Sequence, residues 1–480
     1  MVILRHILLA LFAGLVLAVS YHPLSLWIAA PIGYGIYLWL LKKGSHPILH
    51  SLIFGFVSAA LVLSWSKTFV GALPWLLLAL LQALYFIPVG LITRYLSSLP
   101  AAIAMIILME EVKSRLPFGG FGWMRIAFSQ ADSIFAPYFP LIGVAGVSLL
   151  TLASTYLAME RNRRSFTILI IILLSTLFLH LNPVQTEERE GSESRNGLNI
   201  RLVQGGVPVR GLDFNARAEQ VLDNHIKRTV DSFDPVDQLI IWPENAIDID
   251  PIKRVTARVK IENLQNLTKT PLLAGAILDD NKLFNAGILF NQSGRVDSIY
   301  RKQYLTPFGE FVPLRPVAEF FSPHAKRVTD FSAGDGMVIH NVNGIAISSV
   351  ICYELLSDSI LRSAAESSSI MAIMTNSATF SGSAEGDQQM AISRIRAMES
   401  GRYIASVSTT GPSAFISPKG EILKSLSDGE VGSIAERIPA LTSETFYIRY
   451  GQYFTLALIA ISIILIIGIA TIRLGERRGR

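Results

Sequence analysis

The sequence holds one cysteine, Cys352, among 480 residues. No intramolecular disulfide can form, and no Cys/His cluster has metal-ligand spacing, so a disulfide scaffold and a zinc site are both set aside. Charge is scarce as well: Asp, Glu, Lys and Arg make up 16 %, against 51 % hydrophobic residues and a mean hydropathy of +0.43. That balance exceeds what soluble globular chains carry. The net charge of +5 is spread over short loops and the C-terminal tail. Without an aromatic-interleaved basic patch to stack bases, nucleic acid is not an expected partner. None of the eight histidines, His22 and His225 included, has a partner at a spacing that would make it a base.

What the chain has instead is long apolar runs. The run from Ile7 to Leu41 carries no Asp, Glu, Lys or Arg and is broken at Ser20, Tyr21, His22 and Pro23. It reads as two membrane helices joined by a tight turn. Further spans are expected near Ile48–Ser66, Leu73–Ile92, Ala101–Val112, Tyr138–Met159, Phe166–Leu181 and Tyr453–Ile472, about eight in all. A cleaved leader is disfavoured by the many apolar segments that follow the first. If Arg5 is cytoplasmic, then Lys42, Lys43, Arg94, Arg161, Arg163, Arg164 and the tail Arg473, Arg477, Arg478 and Arg480 fall on the same side. The polar block between the last two spans then lies outside the cytoplasm. Glu110 and Glu111, with Lys113 and Arg115 close by, read equally as interfacial pairs or as functional acids. Phe118–Phe128, rich in glycine and aromatics, suits a re-entrant or interfacial loop.

The expected organisation is a membrane domain over 1–182, a linker over 183–197, a catalytic domain over 198–449, and a last span with a basic tail over 450–480. Beyond the Ser/Gly-rich acidic linker, short β-branched runs alternate with turn signals. They lie at Leu198–Val203, Gln238–Trp242, Pro271–Ile277, Leu283–Phe290, Gly344–Ile351, Ile370–Met374 and Tyr403–Ser408, with helical patterns at Asn215–Ser232 and Gln388–Ser400. This is a layered α/β domain with no internal sequence repeat.

Three segments place a reactive group just after an apolar strand: IIWPENA with Glu244, YRKQYLTPFGEFVP with Lys302 and Glu310, and SSVICYE with Cys352, Tyr353 and Glu354. Strand ends can hold such groups rigidly together. Their chemistry is acyl transfer through a thioester, with Cys352 as nucleophile, Glu244 as base and Lys302 lowering the thiol pKa and holding the oxyanion. Glu310 would position Lys302 or the substrate. No metal or organic cofactor is called for. Taken singly, a lone cysteine after a β-branched run is core filler more often than a reagent, and Glu244 and Lys302 would be surface charges. Only the ordered set is informative.

In that order, WPENA, YRKQYLTPFGEFVP and ICYE resemble the Glu, Lys and Cys segments of the nitrilase, or carbon–nitrogen hydrolase, superfamily. Flanking membrane helices, together with VQGGVP at 203–208, PFGGFGWMRIAFSQAD at 117–132 and RIRAMESGR at 394–402, are similar to its membrane-bound branch, the apolipoprotein N-acyltransferases. The resemblance implies a multi-pass α-helical membrane bundle carrying an αββα nitrilase-like sandwich on the extracytoplasmic, periplasmic side of a bacterial inner or plasma membrane. It implies a phospholipid as acyl donor, a diacylglyceryl apolipoprotein as acceptor, and catalytic Glu244, Lys302 and Cys352. Glu310, Tyr353, Glu354 and Asn376 are expected in support, and Trp242, Phe308 and Trp123 against the substrate. Two positions depart from the family pattern. Asn376-Ser377-Ala378-Thr379-Phe380 stands where Asn-Asp-x-Trp-Phe is usual, and Gly122 where proline is frequent. Competing expectations are an anchored amidase or nitrilase that passes the acyl group to water, and a non-catalytic receptor or transporter. The latter predicts symmetry between halves, which the sequence lacks.

Overall fold

The computed structural model describes residues 1–182, 196–208, 219–321 and 323–478. Most of the expected linker, the start of the helix expected from Asn215, and Arg480 lie outside the described residues. The chain divides into two compact units, Met1–Val184 with Arg449–Arg480, and Gln185–Ile448.

The first unit is helical. Among the described residues, five segments are long and apolar enough to cross a membrane: Val2–Val19, Ala72–Leu96, Ala136–Glu160, Arg163–Leu181 and Phe446–Glu476. Three other expected spans are shorter helices, Ala29–Lys43, Pro47–Val62 and Leu99–Lys113, of 15, 16 and 15 residues. A hydrocarbon core calls for about 20 helical residues. Breaks at Gly44–His46 and at Ser97–Ser98, each with a proline at the start of the next helix, account for the shortfall. The acids of Leu99–Lys113 are internal partners of the loop that follows. Glu111 pairs with Arg125 at 2.7 Å and Arg115 at 2.6 Å, Glu110 accepts from the Ile126 N–H at 2.7 Å, and Lys113 donates to the Met124 carbonyl at 2.8 Å. Gly122 of this loop lies against Ser114, whose Oγ a side chain at 122 would meet at 2.8 Å.

Among the described residues the second unit has twelve strands: β1 (Gly197–Gln204), β2 (Leu239–Ile241), β3 (Leu272–Asp279), β4 (Leu283–Phe290), β5 (Val296–Arg301), β6 (Ile339–Val342), β7 (Ile345–Ile351), β8 (Ile370–Thr375), β9 (Tyr403–Ser408), β10 (Ser413–Ile416), β11 (Ile422–Leu426) and β12 (Gly432–Pro439). They form two six-stranded sheets, ordered β12-β1-β2-β3-β4-β5 and β11-β10-β9-β8-β7-β6. Alternation along each strand dictates the layering. Leu198, Ile200 and Leu202 of β1 meet Ile370, Ala372 and Met374 of β8 in the core between the sheets. Ile240, Leu272 and Ala274 face the other way, onto Ala257, Ile261 and Leu264 of helix Val255–Thr268. Helices Asp358–Ser367 and Glu385–Ser400 cover the second sheet, giving helix, sheet, sheet and helix layers.

Each sheet holds a parallel trio, β1-β2-β3 and β7-β8-β9, joined by covering helices and flanked by antiparallel strands. The topology is therefore duplicated although the sequence is not. The seven expected strands are present, and the five that were not expected, β5, β6, β10, β11 and β12, lie on the antiparallel flanks. Most of β11 is exposed and most of β12 half-buried, so their sequences carry no continuous apolar run.

Candidate active site

Glu244, Lys302 and Cys352 each follow a strand. Trp242 and Pro243 follow β2, and the turn carrying Glu244 lies so close to β3 that a side chain at Gly275 would meet the Glu244 Cα at 2.5 Å. Only glycine fits there. Lys302 leaves β5 with its N–H bonded to the Asn285 carbonyl of β4 at 2.8 Å. Cys352 leaves β7 with φ +49°, a left-handed backbone at the start of the turn Cys352–Leu356. Such a conformation is uncommon for a non-glycine residue, and it lifts this side chain out of the strand's alternation.

At the centre is a buried ion triad. Lys302 Nζ, 1 % exposed, lies 3.1 Å from Glu244 Oε1 and 2.8 Å from Glu310 Oε2. Asn285 Nδ2 donates to both carboxylates, at 2.6 Å to Glu244 and 2.9 Å to Glu310, and Thr306 N–H donates to Glu310 Oε2 at 2.8 Å. Burial pushes the Glu310 carboxyl up, but the Lys302 charge and these hydrogen bonds outweigh it and hold Glu310 below the ordinary range. For Glu244 burial wins over Lys302, and its carboxyl is raised. Burial works against the Lys302 cation, yet the charges of Glu244, Glu310 and Cys352 keep its pKa well above the usual lysine value. Two carboxylates on one lysine are thereby driven apart: one is a fixed counter-ion, the other a stronger base.

The thiol behaves otherwise than the sequence suggests. Burial and the Glu244 charge push Cys352 well above the ordinary cysteine value, and Lys302, which pulls it down, does not compensate. Resting Cys352 is a thiol, so its proton must leave as attack occurs. Gln389 Nε2 lies 3.7 Å from Cys352 Sγ.

The nucleophile turn is held from below by Glu354, fully buried. Its Oε1 accepts from Tyr300 Oη at 2.7 Å and from the Gln303 and Tyr304 N–H groups at 2.8 and 3.2 Å, and its Oε2 accepts from the Ile351 N–H at 2.8 Å. Tyr353 stacks on Tyr304 with centroids 5.2 Å apart. Arg396 Nε donates to the Leu355 carbonyl at 2.8 Å, tying helix Glu385–Ser400 to the same turn. Asn376 Oδ1 accepts from the Ala378 N–H at 3.1 Å and from Thr409 Oγ1 at 2.8 Å, so it shapes its own loop.

The three aromatic expectations separate. Phe308 is 56 % exposed at φ +63° on the loop between Lys302 and Glu310. Trp123 belongs to the helical unit, packed on Trp65 with centroids 5.0 Å apart. Trp242 is corrected from substrate binding to core: it is fully enclosed, its indole N–H donates to Thr229 Oγ1 at 3.0 Å, and its ring packs on His225. Sequence reasoning missed Asn285, Glu385, Gln389 and Arg396. A polar residue inside the apolar run of β4 is a signal that could have flagged Asn285. Glu385 has none, since an acid at a helix start reads as a solvated cap.

Residues 13–157 match the family described as Apolipoprotein N-acyltransferase N-terminal domain, and residues 207–445 match Carbon-nitrogen hydrolase. An apolipoprotein N-acyltransferase of Rickettsia prowazekii is 30 % identical over 75 % of this chain and 74 % of its own. One from Mycolicibacterium smegmatis is 27 % identical over 86 % of this chain and 76 % of its own. Among solved structures, an amidase from Nesterenkonia sp. superposes with a TM-score of 0.40 at 18 % identity, over 51 % of this chain and 91 % of its own. With both units matched and relatives aligned over most of its length, this chain belongs to the apolipoprotein N-acyltransferase family, acyltransferases of the carbon–nitrogen hydrolase superfamily.

Proposed function

We propose that the protein moves an acyl chain from a membrane phospholipid to the α-amine of the diacylglyceryl-cysteine that begins an apolipoprotein, through a thioester on Cys352. The observation that carries this reading is the buried Lys302 shared by Glu244 and Glu310, with the charges of Glu244 and Lys302 both acting on the Cys352 thiol. Glu244 takes the thiol proton as sulfur attacks the donor ester, then delivers it to the departing lysophospholipid alkoxide. Lys302 meets the oxyanion of the tetrahedral intermediate, and Glu310 holds Lys302 in place. Phe308 offers an apolar surface beside the site. The amine then displaces Cys352, leaving an amide. In this reading the chain crosses the membrane about eight times, the shorter helices included, and the catalytic domain faces outward from the cytoplasm of a bacterial inner or plasma membrane.

The test is to incubate purified protein with vesicles of acyl-labelled phospholipid, then add a diacylated lipopeptide. The expected result is a hydroxylamine-sensitive label on Cys352 that moves to the peptide amine. Label that passes only to water assigns the protein as a hydrolase, and no label on the protein refutes the thioester.

A further inference from the structure

Glu385 opens helix Glu385–Ser400 and is 4 % exposed, although it sits in the polar stretch SGSAEGDQQ. One turn further on the same face, Gln389 reaches Cys352 Sγ at 3.7 Å. Residues four apart on a helix are neighbours, with Cβ atoms about 5–6 Å apart. Glu385 is therefore a second buried carboxylate on the helix face that reaches the nucleophile. Its charge acts on Cys352, and Glu244 acts on it in turn.

The two carboxylates differ in how they are held. Glu244 is bound by Lys302 and Asn285. Glu385 has a hydrogen bond from Ser377, while its buried Oε2 has no hydrogen-bond partner among the described residues. A buried acceptor without a donor costs stability and calls for a reason. Ser377 is also the position at which the family pattern has an acid. The carboxylate absent from the loop is supplied from the helix, against the very residue that replaced it.

We propose that Glu385 is the acceptor-amine site of the second half-reaction: its free oxygen receives the N–H of the incoming ammonium and takes one of its protons. This rests on the thioester reading above. The ammonium gives one proton to Glu385. The freed nitrogen lone pair then forms the C–N bond at the thioester carbonyl carbon, and the C–S bond breaks with its electrons on sulfur. The second nitrogen proton passes by way of Glu244 to the Cys352 thiolate, and Glu385 releases its proton to solvent. The products are an amide and a free thiol. The donor half-reaction brings no ammonium group to the acyl carbonyl, so it has no proton for Glu385 to take. Burial, opposed by Ser377 and reinforced by Glu244, Asp428 and Asp387, raises the Glu385 carboxyl to about 7, a suitable acceptor for an ammonium proton at neutral pH.

The test separates the half-reactions in the full-length protein with Glu385→Gln, which keeps the side-chain shape. Thioester formation from labelled phospholipid and single-turnover transfer to a diacylated lipopeptide are measured across pH 5.5–8.5. The expected result is a ratio of transfer to acylation at least tenfold below wild type, without the wild-type decline of that ratio as pH falls through 7. Adding Ser377→Asp to Glu385→Gln, which returns a carboxylate to the same spot, should recover most of the ratio. An unchanged ratio, or an equal loss in both half-reactions that Ser377→Asp does not reverse, overturns the proposal while the thioester reading stands. A wild-type protein that forms no thioester removes both.

Discussion

Replacing Lys302 by methionine keeps the length and apolar stem of the side chain and deletes the charge that two buried carboxylates share. Lys302 lies 3.1 Å from Glu244 and 2.8 Å from Glu310, with both acids less than 10 % exposed. Removing one partner of a buried ion pair costs about 3–5 kcal/mol, because the remaining charge is left without compensation. For a domain of this size each kcal/mol moves the melting temperature by about 2–4 °C, so a fall of roughly 10 °C at neutral pH is expected. The pH dependence carries the sharper test. Both carboxylates accept from the same Asn285 nitrogen, and without Lys302 they repel, so their folded pKa values rise above the unfolded carboxylate value. A raised folded pKa leaves stability intact below the unfolded value and removes it as pH rises through the folded one. The melting gap between Lys302→Met and wild type should therefore be small near pH 4 and widest above pH 7. Differential scanning fluorimetry of full-length protein in detergent reads the gap, and labelled phospholipid reads the loss of thioester, expected to exceed a hundredfold. A variant within about 2 °C of wild type at pH 7.5, or a gap that grows toward acid, would refute the charge argument.

Cys352→Ala should abolish the hydroxylamine-sensitive label and leave the melting temperature within about 2 °C, since alanine tolerates φ +49° no worse than cysteine does. A label retained on that variant places the nucleophile elsewhere. Glu354→Gln turns its amide NH₂ against the Ile351 N–H while its oxygen keeps the other three donors, an unmade hydrogen bond worth about 1–3 kcal/mol. A fall of several degrees with reduced acylation is expected, and a neutral effect on both would show the network to be dispensable. Burial lowers His225 and His340 to about 4. Depressed histidines give stability that is complete above about pH 6.5 and lost as pH falls toward 4, on the order of 3 kcal/mol each. Flat melting temperatures from pH 6.5 down to 4.5 would contradict that.

The sequence displays the parallel trios because their central strands, buried on both faces, read as apolar runs, as Ile370–Met374 does. It hides the flanking strands for two reasons: β11 reads ILKSL with one buried position, and nothing separates it from a turn, while β10 is buried throughout but only four residues long. Glu244 and Cys352 are visible because each interrupts an apolar run at its end, and Lys302, which follows the half-exposed β5, is visible only in its ordered segment with them. Glu385 is not, since its burial comes from a loop and a helix that meet only in the folded chain. Trp242 misleads for the opposite reason: an aromatic beside a reactive acid looks like a binding surface until the alternation of β2 turns it into the helix layer. The membrane spans are legible as apolar runs, but their lengths depend on where glycine, serine and proline cut them, and three fall short of a full crossing.

Strand β12 lies antiparallel to β1, with Gly197 opposite Pro439. Partners in such a ladder have Cα atoms about 5 Å apart. The first and last strands of the sandwich thus stand side by side, and the domain is a closed excursion from two neighbouring points of the chain. An excursion of this kind can be lengthened, replaced or exchanged between relatives without redrawing the helices on either side of it. It also makes folding of the sandwich wait for the end of synthesis, because the edge that covers β1 is among the last parts of the domain to be made.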